Sequence, residues 1–84
     1  NPMAIGDAVK KQFENDRTAE YDAIKAYNEA IGLCASLKDN GTEDLLKQIL
    51  KDEENHLDQI EAQLTQIEQM KLENYLAHQI HGTD

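Results

Sequence analysis

Apolar residues recur along the chain at spacings of three and four, the period of one helical face. In the first half the stripe is Val9, Phe13, Ile24, Tyr27, Ile31 and Cys34, continuous once position 20 is filled in. In the second half it is Leu46, Ile49, Ile60, Leu64 and Ile67, widened by Leu50 and Leu57. No segment alternates with period two, so no strand is predicted. Breakers are sparse: Pro2 and Gly6 open the sequence, Asp39-Asn40-Gly41 interrupts it, Gly82 lies near the end, and Gly32 is the only other. Asp7, after Gly6, suits an N-cap and predicts a helix over about 7–37. A turn at 38–42 follows, where Asp39-Asn40-Gly41 tolerates positive φ and closes the helix. Thr42 then caps a helix over about 43–71, with Glu43 and Asp44 facing the positive end of its dipole. Leu72 to Ile80 reads as a short terminal helix and 81–84 as a tail. The predicted fold class is all-α, a long antiparallel helical hairpin plus a short C-terminal helix. Each long helix, at roughly 30 residues, is about 45 Å long.

Composition sharpens this picture. The 84 residues are one domain at most, and 39% of them are hydrophobic, so the hairpin's own core is thin and a partner is expected. Seventeen acidic residues against eight basic ones give a net charge of −9, which argues against nucleic-acid binding, since phosphate contacts need clustered Lys and Arg. No apolar run approaches the roughly 20 residues of a membrane span. A single cysteine cannot form an internal disulfide, which fits a reducing, cytoplasmic compartment.

The positions that interrupt the stripes carry the candidate chemistry. Position 20 is Glu20, seven residues from both Phe13 and Tyr27. In the second stripe, stepping by four and three from Ile49 reaches Glu53 and His56. Each helix therefore places ionisable groups on its apolar face near mid-length, and antiparallel packing brings the two sets within about two turns of each other. An unpaired carboxylate in such an interface costs several kcal/mol unless it is neutralised, paired or bound to metal. No cation of the chain occupies either stripe, and a metal ion would compensate the charge. Carboxylates with one imidazole suit ferrous iron or manganese better than a soft-ligand metal. With nine Glu in 84 residues, a Glu-x-x-His somewhere in the chain is unsurprising by itself. Its phase gives it weight, because an i, i+3 pair faces one way and that face is otherwise Leu and Ile. A core histidine hydrogen-bonded to a nearby Glu is the plainer alternative.

The hairpin supplies half a site. Helix-bundle di-iron proteins use one Glu from each of two helices and a Glu-x-x-His from each of the other two. This chain holds one of each. A second hairpin, from another copy or from a missing half, would complete both the ligand set and the four-helix core.

The segments Ile5-Gly6-Asp7, Asp16 to Glu20, Tyr27 to Ile31, Ile49-Leu50-Lys51-Asp52-Glu53-Glu54-Asn55-His56 and Asn74-Tyr75-Leu76 resemble the C-terminal half of a bacterioferritin. The resemblance runs from about Ile5 to Ile80 without a gap between Glu20 and Glu53. It implies the third, fourth and short fifth helices of a ferritin-like subunit. It further implies Glu20 as a terminal iron ligand, Glu53 as the bridge between two irons, His56 as a terminal ligand, and Asp52 as the carboxylate that orients the histidine of the opposing motif. Family subunits are about twice this length, and their first two helices are absent here. The family's haem is held by a Met in the missing second helix; neither Met3 nor Met70 matches it, so haem is not supported. Lys71 stands where many relatives have Gly. Asn1-Pro2 looks like the end of the family's interhelical crossover, so a fragment or processed product is expected, with a short dimerising protein as the alternative.

The other residues have plainer roles. Cys34 suits a small buried thiol, Tyr27 a packed aromatic, and His78 and His81 surface or tail positions. Three functions follow: iron storage with Fe(II) oxidation in a ferritin-like cage, a short di-iron homodimer without a cage, or a metal-free structural hairpin.

Overall fold

The computed structural model describes the backbone of residues 2–81 and the side chains of residues 6–74, 76 and 77. Residues 82–84 and the side chains of His78 and His81 lie outside the described residues, and with them the surface and tail roles expected there. The described backbone forms two helices, α1 (Pro2–Ser36) and α2 (Asn40–His81), packed antiparallel, with no strand. This is the all-α hairpin the periodicity predicts. It is long and one layer thick, 70 × 18 × 13 Å. Its radius of gyration of 19.5 Å exceeds the roughly 12 Å of a compact chain of this length.

Three expectations about helix ends are corrected. Helix α1 starts at Pro2 rather than near Asp7, since proline fits the first helical turn without losing a hydrogen bond. Asp7 is inside the helix, where its carboxylate meets Lys71 Nζ at 3.1 Å. The tight turn is Leu37-Lys38-Asp39, not 38–42. Lys38 adopts φ 59°, its N–H donates to Ala35 O, and the Asp39 N–H donates to Cys34 O, a Schellman closure. Asp39 then caps α2 in place of Thr42. Its carbonyl accepts from the Glu43 N–H and its Oδ1 accepts from the Thr42 N–H at 3.2 Å. Finally, the short helix expected over about 72–80 is not separate. Helix α2 runs unbroken through Lys71, because no Gly or Pro interrupts the strong helix formers around it.

The core is as thin as the composition implies. Among the described residues only Ile60 and Leu64 are buried. Phe13, Ile24, Tyr27, Ile31 and Cys34 of α1, and Leu46, Ile49, Leu57 and Ile67 of α2, are half-buried, while Val9 is exposed.

Candidate metal centre

Helical phase decides which side chains meet at mid-hairpin. Glu20 lies at the midpoint of α1, and Glu53 and His56 lie one turn apart on α2. The antiparallel register, set by Lys10 against Glu68 and Lys71 against Asp7, brings these three together. One ligand-type atom from each of Glu20, Glu53 and His56 lies within 4.8 Å of the other two. These are the three positions at which the sequence breaks its apolar stripes.

Their environments differ. The Glu20 side chain is 14% exposed and that of His56 58%, so the site sits at the edge of the helix-helix seam and opens to one side. The stripe pattern expects His56 on a buried face. In the single hairpin it stands on an open flank, because α1 covers only one side of α2. His56 Nδ1 lies 3.0 Å from Glu20 Oε1, and with Glu20 ionised the ring N–H donates to it. The other oxygen, Glu20 Oε2, is buried and has no hydrogen-bond partner, alone in this respect among the described side chains. The Glu53 carboxyl is held above the ordinary carboxylate range, chiefly by a hydrogen bond with Glu20, then by burial and by Glu20's charge; His56 acts the other way. When ionised, neither carboxylate can donate to the other. A proton or a cation must lie between them.

That requirement is the test of fit for a metal. Two carboxylates and an imidazole converge from two rigid helices, one oxygen is orphaned, and the donor set is the hard, oxygen-rich kind that suits ferrous iron. The residues fit. Asp52, one residue before Glu53, is exposed and makes no hydrogen bond among the described residues. Cys34 is a free, half-buried thiol near the turn, away from the triad.

The sequence pattern does not single out Tyr21. Its hydroxyl donates to Glu61 Oε1 at 2.6 Å across the two helices, next to Glu20 in the chain. An exposed tyrosine off the stripe carries no sequence signal for such a pairing. It belongs, with Lys10–Glu68 and Lys71–Asp7, to a row of polar bridges along one flank of the hairpin.

Among families, the one described as "Ferritin-like domain" matches residues 1–70. The chain is 37% identical over 75 residues to a bacterioferritin of Mycobacterium avium, covering 89% of this chain and 47% of that protein. A bacterioferritin of Brucella melitensis gives the same identity and coverage. A bacterial ferritin of Synechocystis is 37% identical over 81 residues, 95% of this chain and 52% of that protein. The chain thus spans about half the length of the curated relatives it matches, and the resemblance drawn from the sequence is borne out. No solved structure matches. No helix among the described residues is long and apolar enough to cross a membrane.

Proposed function

Because the chain belongs to the ferritin-like family, we propose that it forms half of a carboxylate-bridged di-iron site that binds Fe(II), promotes its oxidation, and serves iron storage and detoxification. The observation that carries this reading is the triad of Glu20, Glu53 and His56, with its orphaned, buried carboxylate oxygen. Fe(II) is the substrate. Two Fe(II) give up two electrons, which together with two protons reduce either O2 to hydrogen peroxide or hydrogen peroxide to two waters. Glu20 and His56 are the terminal ligands and Glu53 the bridge. The negative charge of Glu20 and Glu53 favours Fe(III) over Fe(II), which lowers the barrier to electron loss. Asp52 orients the histidine of the opposing Glu-x-x-His, so it acts only when a second pair of helices is present. That pair comes from a further copy or from the rest of a longer subunit, within a homo-oligomer such as a closed cage. No residue of this chain is assigned to haem. The single thiol Cys34 suits a reducing cytoplasm.

The metal-free structural reading has one observation in its favour, the His56–Glu20 hydrogen bond, which would fix helix register. It leaves Glu20 and Glu53 facing each other with only a shared proton to hold them. Anaerobic Fe(II) titration followed by native mass spectrometry separates the two, together with stopped-flow oxidation of the wild type and Glu53→Ala. Glu53→Ala is expected to abolish fast Fe(II) oxidation. Unchanged oxidation in that variant, or no bound iron at saturating Fe(II), would count decisively against the site.

A further inference from the structure

Iron binding of the kind proposed above needs Glu20, on α1, held at a fixed distance from Glu53 and His56, on α2. When both carboxylates are ionised, their repulsion works to open that distance. The apolar seam resists separation of the helices better than it resists rotation. Among the described side chains only Ile60 and Leu64 are buried, and both belong to α2. The contact between His56 and Glu20 is made by the ligand groups themselves, so an ion bound there draws on the same groups. A contact outside the ligand set is needed to fix α1 about its axis at this level.

Besides His56–Glu20, three side-chain contacts cross between the helices among the described residues: Tyr21–Glu61, Lys10–Glu68 and Lys71–Asp7. Lys10 and Asp7 lie about 15 Å and about 20 Å from Glu20 along α1, whereas Tyr21 is the next residue, about 1.5 Å on. Successive helical residues are turned by about 100°. With Glu20 in the seam, the Tyr21 ring therefore leaves α1 on the bridged flank, where its hydroxyl donates to Glu61 Oε1 at 2.6 Å. Tyr21 is 51% exposed, so this bond rather than burial is its main tie to α2. A short bond to a carboxylate, made to one side of the Glu20 direction, opposes rotation of α1. A rotation of about 20° would carry a carboxylate roughly 6 Å off the helix axis through about 2 Å. A ligand set tolerates about 0.5 Å.

We infer that Tyr21 and Glu61 are positioning residues for the iron site: their hydrogen bond sets the rotation of α1 that presents Glu20 to Glu53 and His56. Neither residue binds the metal. The inference rests on the iron reading above for the role of Glu20. Glu61 is turned about 140° from His56 around α2, so the clamp lies within this hairpin whichever helices cover His56.

The test uses the protein in its full natural assembly, with circular dichroism to verify helicity and anaerobic titration with Co(II). This ion stands in for Fe(II) without being oxidised, and its visible absorption reports the ligand geometry. Tyr21→Phe keeps the ring and removes only the donor. It is expected to weaken Co(II) binding about tenfold at unchanged stoichiometry and to alter the absorption bands. Glu61→Ala, which removes the acceptor instead, is expected to match it. Glu61→Gln keeps an accepting oxygen and is expected to stay within about twofold of wild type. Lys10→Met breaks a remote rung on the same flank and is expected to leave binding and spectrum unchanged. Wild-type affinity and spectrum in both Tyr21→Phe and Glu61→Ala overturn the inference and leave the iron reading standing. Equal weakening by Lys10→Met also overturns it, because general loosening of the hairpin would then explain the loss. Wild-type binding by Glu53→Ala removes the iron reading, and the positioning role falls with it.

Discussion

Glu20 has one oxygen engaged by His56 and the other buried without a partner, opposite a second carboxylate. A residue so placed is kept for what it binds and works against the stability of the hairpin. Glu20→Gln isolates that conflict. The amide oxygen still accepts from His56, and the new N–H can donate to Glu53. The metal-free variant is therefore expected to match the wild type or exceed it by about 1 kcal/mol in urea melts at fixed protein concentration. Its stoichiometric Fe(II) binding is expected to be lost. A variant clearly less stable than wild type would mean that Glu20 serves structure. Lys38 presents a simpler case. Its φ of 59° places a side chain where glycine is favoured, and no side-chain contact compensates among those described. Lys38→Gly is expected to raise stability by about 0.5–1 kcal/mol, read as a higher urea midpoint.

At the scale of the helices, the turn and the rungs across the seam set register. Asp39 satisfies the start of α2, so Asp39→Ala is expected to cost about 1 kcal/mol. The Lys10–Glu68 rung gives a pH signature. Lys10 holds the Glu68 carboxyl below its usual range, by hydrogen bond first and charge second. Glu68 raises the Lys10 ammonium by the same hydrogen bond. Glu68's contribution is complete above its ordinary value of 4.5 and is lost as pH falls through its lower folded value. Lys10's is complete below 10.5 and is lost as pH rises through its higher folded value. The stability difference between wild type and Glu68→Gln should thus be flat at neutral pH and shrink on acidification below about 4.5. Glu68 is exposed and Lys10 only half-buried, so the effect should be small and reduced by salt. Glu53, with its raised carboxyl, works in the opposite sense, which is why the difference between the two proteins is the quantity to follow. The two long helices, their antiparallel pairing and the Glu20–Glu53–His56 level were legible because a 3.6-residue period shows where a stripe is broken. The ends were not. Asp39 and Thr42 are both good caps, and only the positive φ at Lys38 selects between them. Lys71 lies in a run of helix formers, so residue preference alone favours continuing α2 through it. The rungs escaped because Tyr21–Glu61 joins two distant residues, each ordinary on its own helix.

For the whole molecule, the governing facts are a one-layer shape and a charge of −9. Where the second pair of helices comes from a further copy, two hairpins meeting on the His56 flank, which along α1 carries Ala19, Ala23, Ala26, Ala30 and Leu33, bring like charges together, while the apolar area they bury favours the encounter. The two effects respond oppositely to ionic strength. Over the range from about 0.05 M to about 0.5 M salt, the screening length falls from beyond 10 Å to about 4 Å, and the repulsion between chains is largely removed. Apolar burial is not weakened by that change. Such an association is therefore expected to tighten severalfold with added salt, as read by sedimentation of the metal-free chain. Were the copies held instead by ion pairs between the bridged flanks, rich in Lys10, Glu68, Asp7 and Lys71, salt would loosen them. Fe(II) provides a second lever in the same direction, because each bound ion adds two positive charges at the level where the four carboxylates of the paired triads meet. Tightening by salt alone, with a further gain from Fe(II) that Glu53→Ala abolishes, would tie the association to the apolar flank and the metal to the triad. Loosening by salt would put the interface on the other side of the hairpin, away from His56.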